Sequence, residues 1–179
     1  MRIIAGHLKG RVFHEPHGHH THPMSEKMRG ALFNILGDVS GLTFLDAFAG
    51  TGALSFEAVS RGAKSVTAIE KDRAAFIAIK RSVEELDIGV QVHVVRSSIG
   101  GWSLHNPGKF FDIVLLDPPY DEIQPKILQK TMNHHVKKSG LAVLSCPGKA
   151  MAPKFEGYRL VEQKNYGDAQ LAFYRKSGK

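Results

Sequence analysis

One cysteine, Cys146, leaves the chain with no internal disulfide and no zinc site built on several thiolates. No apolar run reaches the ~18 residues that a membrane-spanning helix needs. The opening stretch, MRIIAGHLKGR, is charged throughout and lacks the apolar segment of a secretory leader. There are no internal repeats, and the only biased tract is His-rich, with His17, His19, His20 and His22 close together. The 18 Gly and 8 Pro follow no collagen-like period. These absences exclude a disulfide scaffold, a helical membrane protein and a fibrous chain, and lead us to expect a cytoplasmic protein.

What is present suits one globular domain. The chain has 179 residues, 42% hydrophobic and 23% charged. Its charge is less ordinary, with 24 Lys and Arg against 17 Asp and Glu and a formal net charge of +7. Such an excess bears on partners rather than on fold and favours a polyanion, most simply nucleic acid. The same residues also suit a merely well-solvated basic surface.

Hydrophobic periodicity places the elements. Arg2-Ile3-Ile4 and Arg11-Val12-Phe13 read as two arms of a short β-hairpin, with Gly6 and Gly10 at its turn. Residues 15–24 read as a loop. Ser25 is a helix N-cap, followed by Met28, Ala31, Leu32, Ile35 and Leu36 at helical spacing. From there strands and helices alternate. Strands are expected at 42–48, 65–69, 90–95, 111–116 and 141–145, and helices at 53–60, 72–86 and 123–136. Two further short strands, 158–162 and 171–174, flank a turn and form a terminal hairpin. Alternation of this kind implies right-handed βαβ units and a mostly parallel sheet. Ligands of such sheets bind beyond the carboxyl ends of the strands.

The strand ends carry chemistry. Asp46-Ala-Phe48-Ala-Gly50-Thr51-Gly52 follows the first strand. It lacks the Lys-Ser/Thr of a P-loop, and Ser55 stands where a dinucleotide fingerprint has its third glycine. Its glycines let the backbone approach a ligand closely, and Asp46 can accept hydrogen bonds from an ammonium group, directly or through water. Glu70 ends the second strand, where a carboxylate can hold both hydroxyls of a ribose. Ser97 and Ser98 after the third strand are candidates for a base edge. Asp117-Pro118-Pro119-Tyr120 ends the fourth strand, 111–116, which is apolar apart from Asp112. The prolines supply no N–H donor, so the Asp117 carboxylate and the Pro118 carbonyl stand as acceptors beside the Tyr120 ring. That set suits a planar amine.

These motifs resemble those of class I S-adenosylmethionine-dependent methyltransferases acting on exocyclic amines. With Met-Arg-Ile-Ile-Ala-Gly at the start and Arg29-Gly-Ala-Leu-Phe-Asn-Ile-Leu36, they further resemble the bacterial 16S ribosomal RNA guanine-N2 methyltransferases of RsmD type, over essentially the whole chain. His22-Pro23-Met24 stands where that family usually has Arg-Pro-Thr, and Gly30 where it has an acidic residue. The loop after the third strand lacks the acid of many relatives.

The resemblance implies a Rossmann-like α/β fold: a mostly parallel seven-stranded sheet with helices on both faces and an N-terminal β-hairpin extension. Residues 1–24 would form that RNA-contacting extension and 25–179 the methyltransferase domain. The implied reaction moves a methyl group from S-adenosylmethionine to N2 of guanine 966 in 16S ribosomal RNA. Asp117, Pro118 and Tyr120 are then catalytic. Asp46, Phe48, Gly50, Thr51, Gly52, Glu70, Lys71, Ser98 and Asp117 bind the cofactor. Arg2, Lys9, Arg11, Lys27 and Arg29, with Tyr120, meet the RNA.

About forty N-terminal residues are few for reading a nucleotide sequence, so the expected partner is a folded RNA surface, an assembled small ribosomal subunit, met by a monomer. Cys146 is weighed as a nucleophile and expected to be an inert, largely buried thiol. The His tract is weighed as a metal site and expected instead to order against RNA, with no metal required. Three alternatives remain open: an amino-methyltransferase for adenine or cytosine in DNA, a non-catalytic RNA-binding module on the same fold, and, more distantly, a nicotinamide-dependent dehydrogenase.

Overall fold

The computed structural model describes residues 1–16 and 23–177. The His17–His22 tract therefore lies outside the described residues. The elements are α1 (Glu26–Leu36), β1 (Thr43–Asp46), α2 (Ala53–Ser60), β2 (Ser65–Glu70), α3 (Arg73–Glu85), β3 (Val92–Arg96), α4 (Ile99–His105), β4 (Phe111–Leu116), α5 (Pro125–His135), β5 (Val136–Pro147), β6 (Tyr158–Asn165) and β7 (Ala169–Lys176). The seven strands form one sheet in the order β3-β2-β1-β4-β5-β7-β6. The first five run parallel, and β7 inserts antiparallel between β5 and β6. This is the expected mostly parallel sheet.

The apolar residues divide into two buried clusters, one on each face. Phe33, Phe44, Phe56 and Ile79 belong to the first. Trp102, Phe111, Leu128, Met132 and Tyr174 belong to the second. A parallel strand covered on both faces needs apolar side chains in both directions, as Ile113–Leu116 of β4 has, with Asp112 at its start paired to Lys137 and Thr43.

Caps set the helix starts where the sequence puts them. The Ser25 hydroxyl accepts from the Met28 N–H at 3.2 Å, and the Asp72 carboxylate accepts from the Ala75 N–H at 2.8 Å. Three readings need correction. Residues 99–105, to which the sequence reading assigned no element, form α4, because the Ser98 hydroxyl caps the Gly101 N–H and burial of Trp102 offsets the low helix propensity of Gly100 and Gly101. The fifth helix begins at Pro125, not 123, behind a 3-10 turn over Tyr120–Glu122. The terminal strands are longer than expected, since each has a full-length partner in β7 or β6.

The N-terminal arms meet in one antiparallel bridge, Arg2 with Val12, rather than in regular strands. They are strapped to α2. Ile3, Leu8 and Phe13 lie in the first core cluster, and the Phe13 ring meets Phe56 edge-on at 5.0 Å. The Ser60 carbonyl accepts the His7 N–H at 2.8 Å. A Cβ at Gly6 would fall 1.8 Å from that carbonyl oxygen, so only glycine permits this approach.

Candidate active site

The tips of β1, β2 and β4 converge. β1 lies between β2 and β4, so Asp46 and Asp117 end neighbouring strands and Glu70 ends the next one. Asp46 is fully buried. Its Oδ2 accepts the Ser55 hydroxyl at 2.6 Å and the Phe48 N–H also favours its charge, while Oδ1 has no hydrogen-bond partner among the described residues. Loss of water pushes its pKa up to about 7, against the Ser55 hydrogen bond and with the fields of Asp117 and Glu70 adding to the rise. A buried carboxylate oxygen without a donor fits a cationic ligand group.

The loop after β1 is shaped by its glycines. Gly52 has φ +80°, and a Cβ there would lie 2.7 Å from the Phe56 ring. Thr51 is buried, and Phe48 is half-buried against the second cluster. Glu70 holds this loop: Oε2 accepts the Gly50 N–H and Oε1 the Asp72 N–H, each at 2.7 Å. Each oxygen keeps a second acceptor direction, so the carboxylate can fix the loop and still receive hydroxyls. Lys71 follows on the exposed rim. Ser98 is exposed, and its hydroxyl is engaged as the α4 cap at 3.1 Å.

Asp117 stands just past β4 with its pKa pushed up to about 6 by desolvation, a rise that the Ser145 hydroxyl moderates. Pro118 is buried beside it. Tyr120 is 41% exposed, and its hydroxyl lies 3.0 Å from Ser145 Oγ. An apolar crevice lined by Met24, Leu32, Leu54, Leu171, Asp117 and Ser145 backs this corner. Two residues escaped the sequence reading. Ser55 was noted only as a departure from a glycine fingerprint, although a hydroxyl one helical turn after the glycine loop can face the strand tip. Ser145 had no local signal, because it comes from β5, far along the chain.

The basic residues separate. Lys9 and Lys27 are exposed. Arg2 is exposed and paired with Glu26 at 3.1 Å, and Arg11 donates to the Glu85 carbonyl at 3.1 Å. Arg29 overturns its expectation, since it is 0% exposed and no phosphate can reach it. It donates to the Arg2 carbonyl at 2.7 Å and lies 3.6 Å from the buried carboxylate of Glu57. Glu57 in turn accepts the N–H groups of Ile4 and Ala5 and the Nε of Arg61 at 2.8 Å. Arg29 therefore anchors the N-terminal arm.

Cys146 is buried with its thiol pKa pushed up by desolvation, which leaves it unreactive. Among the described residues no three His, Cys, Asp or Glu gather in a way that could hold a metal ion. No described helix is long and apolar enough to cross a membrane.

Comparison with known proteins shows the family and fold to which the chain is similar. The profile of the family described as conserved hypothetical protein 95 matches residues 1–175. YlbH of Bacillus subtilis, provisionally named an rRNA methyltransferase, is 30% identical over 185 residues, covering 99% of this chain and 100% of its own. The ribosomal RNA small subunit methyltransferase D of Buchnera aphidicola (strain APS) is 33% identical over 132 residues, covering 73% of this chain and 67% of its own. The solved structure of yhhF from Escherichia coli superposes with a TM-score of 0.88 at 27% identity, covering 100% and 99% of the two chains.

Proposed function

The chain belongs to the conserved hypothetical protein 95 family, the RsmD-type S-adenosylmethionine-dependent methyltransferases, and from that membership we propose that it methylates ribosomal RNA of the small subunit. The acceptor is the exocyclic N2 amine of a guanine, with guanine 966 the nucleotide that the resemblance implies. The substrate is the assembled subunit. The observation that carries this reading is the corner after β4. There a desolvated carboxylate and a proline carbonyl stand beside an aromatic ring, next to a buried carboxylate oxygen that lacks a donor.

S-adenosylmethionine, when bound, supplies an electrophilic methyl group. Asp46 would hold its ammonium, and Glu70 its ribose. Gly50, Thr51 and Gly52 would pass close along it, with Phe48, Lys71 and Ser98 at its edges. The chain's own task is the amine. A guanine N2 lone pair is delocalised into the ring and attacks poorly. Asp117 and the Pro118 carbonyl accept its two N–H groups in a tetrahedral arrangement, which frees the lone pair. The positive charge that develops on nitrogen faces Asp117, already in place in a low-dielectric corner. Tyr120 stacks on the base once it leaves its helix or loop. Orientation supplies much of the remaining acceleration. Lys9 and Lys27, with Arg2 and Arg11 at the same end, meet phosphates.

The test is transfer of a radiolabelled methyl group to total DNA, total RNA and small subunits from cells lacking this gene, followed by mass mapping of the modified nucleotide. Label on N2 of a small-subunit guanine is expected, with pre-assembled subunits outperforming naked RNA. Label on DNA alone would refute the reading. Asp117→Ala should lower turnover by about 100-fold or more while S-adenosylhomocysteine still binds. A near-normal rate would remove Asp117 from the mechanism.

A further inference from the structure

We propose that the groove between α5 and the segment preceding β6 carries the sugar–phosphate backbone of the RNA substrate, away from the target nucleotide. This rests on the ribosomal RNA reading above and adds a contact surface to it. The groove has a volume of about 400 Å³ and is lined by Lys126, Lys130 and Lys154 together with Gln129, Asn133 and His134.

It is a constructed feature. The Gln129 side chain clips the segment to the helix: its Nε2 donates to the Glu156 carbonyl at 3.0 Å, and its Oε1 accepts the Glu156 N–H at 2.7 Å. Phe155 is buried beneath, in the same cluster as Leu128 and Met132. Lys154 is thereby held on one wall, while Lys126 and Lys130, one helical turn apart, stand on the other. All three are exposed, and among the described residues no carboxylate lines the groove and none of the three is ion-paired with one.

Position selects the occupant. Pro125, at the head of the groove, comes three residues after the end of the 3-10 turn that carries Tyr120. A strand whose base is held at Asp117 and Tyr120 has its backbone led into the cationic walls. Amide and imidazole groups beside three ammonium groups match phosphate oxygens and riboses. The formal net charge of +7 agrees with such a polyanion. The basic N-terminal arm is strapped against α2 on the other core cluster, so the two surfaces would hold different parts of the RNA.

The experiment combines Lys126→Gln, Lys130→Gln and Lys154→Gln in the full-length protein. Binding to a naked 16S transcript is measured against salt, and methyl transfer on assembled subunits beside it. Affinity for the transcript should fall about tenfold or more, and the slope of log affinity against log salt should drop by about two. The KM on subunits should rise while kcat and S-adenosylhomocysteine affinity stay at wild-type values. Wild-type affinity and slope in the triple variant would overturn the proposal. A defect confined to subunits, with transcript binding intact, would also overturn it and assign the groove to an acidic protein surface. The binding measurement needs no turnover. If the wild-type protein methylates no ribosomal RNA, the functional reading falls separately and the salt slope still decides the groove.

Discussion

Asp46 makes the ligand affinity of this protein a function of pH, with a size that follows from its burial. The carboxylate is fully buried, one oxygen has no donor, and its pKa stands near 7. An ammonium group needs the ionised form. The free protein must first release a proton wherever pH lies below that value, so affinity rises as pH rises. About 9% of Asp46 is ionised at about pH 6 and about 76% at about pH 7.5, so affinity should climb roughly eightfold, or about 1.2 kcal/mol. That figure is the share of Asp46 alone: an α-amino group of pKa ~7.7 falls from about 98% charged at about pH 6 to about 61% at about pH 7.5, which trims the net rise to roughly fivefold. Asp117, near 6, adds a smaller change of the same sign. Calorimetry with S-adenosylhomocysteine, which cannot transfer a methyl group, reads the affinity directly. Repetition in buffers of different ionisation enthalpy reads the proton released. Asp46→Asn should bind more weakly at about pH 7.5 and lose most of the slope. A flat wild-type profile, or an unchanged slope in Asp46→Asn, would show that this carboxylate does not face the ammonium.

Two further outcomes follow from particular contacts. Ser145 holds the Asp117 pKa down and bonds Tyr120, so in Ser145→Ala the acidic limb of kcat/KM should move to higher pH, with a rate within about threefold of wild type at alkaline pH. A uniform loss at all pH values would instead mark Ser145 as a packing residue. Arg29→Ala removes the Arg2 carbonyl contact and one of the two cations beside the buried Glu57, leaving Arg61, and should lower unfolding stability by about 1–3 kcal/mol in urea titrations, whereas Lys27→Ala should stay within about 0.5 kcal/mol. An Arg29→Ala protein of unchanged stability that had lost RNA affinity would restore Arg29 to the RNA-contacting set.

The parts legible in advance were those that local chemistry dictates. Gly50 and Gly52, the prolines of Asp117-Pro-Pro-Tyr120 and the cap Ser25 constrain a few neighbouring residues each, so their local geometry accompanies their spacing. Apolar runs such as Ile113–Leu116 announce strands buried on both faces, and alternation with helices announces parallel pairing. α4 was not legible, because its two glycines argue against a helix that only the burial of Trp102 and the Ser98 cap sustain.

The amino-acid order alone determined the element sequence apart from α4, the basic excess and the carboxylates that end β1 and β2 and follow β4. Tertiary structure alone decided that Arg29 is an internal anchor, that Ser145 reaches Tyr120 across 25 residues, and that Lys154 faces Lys126 and Lys130 across a groove. Charge and residue type are written locally. Exposure and partnership depend on which distant segment packs against a residue, and only the folded chain settles that.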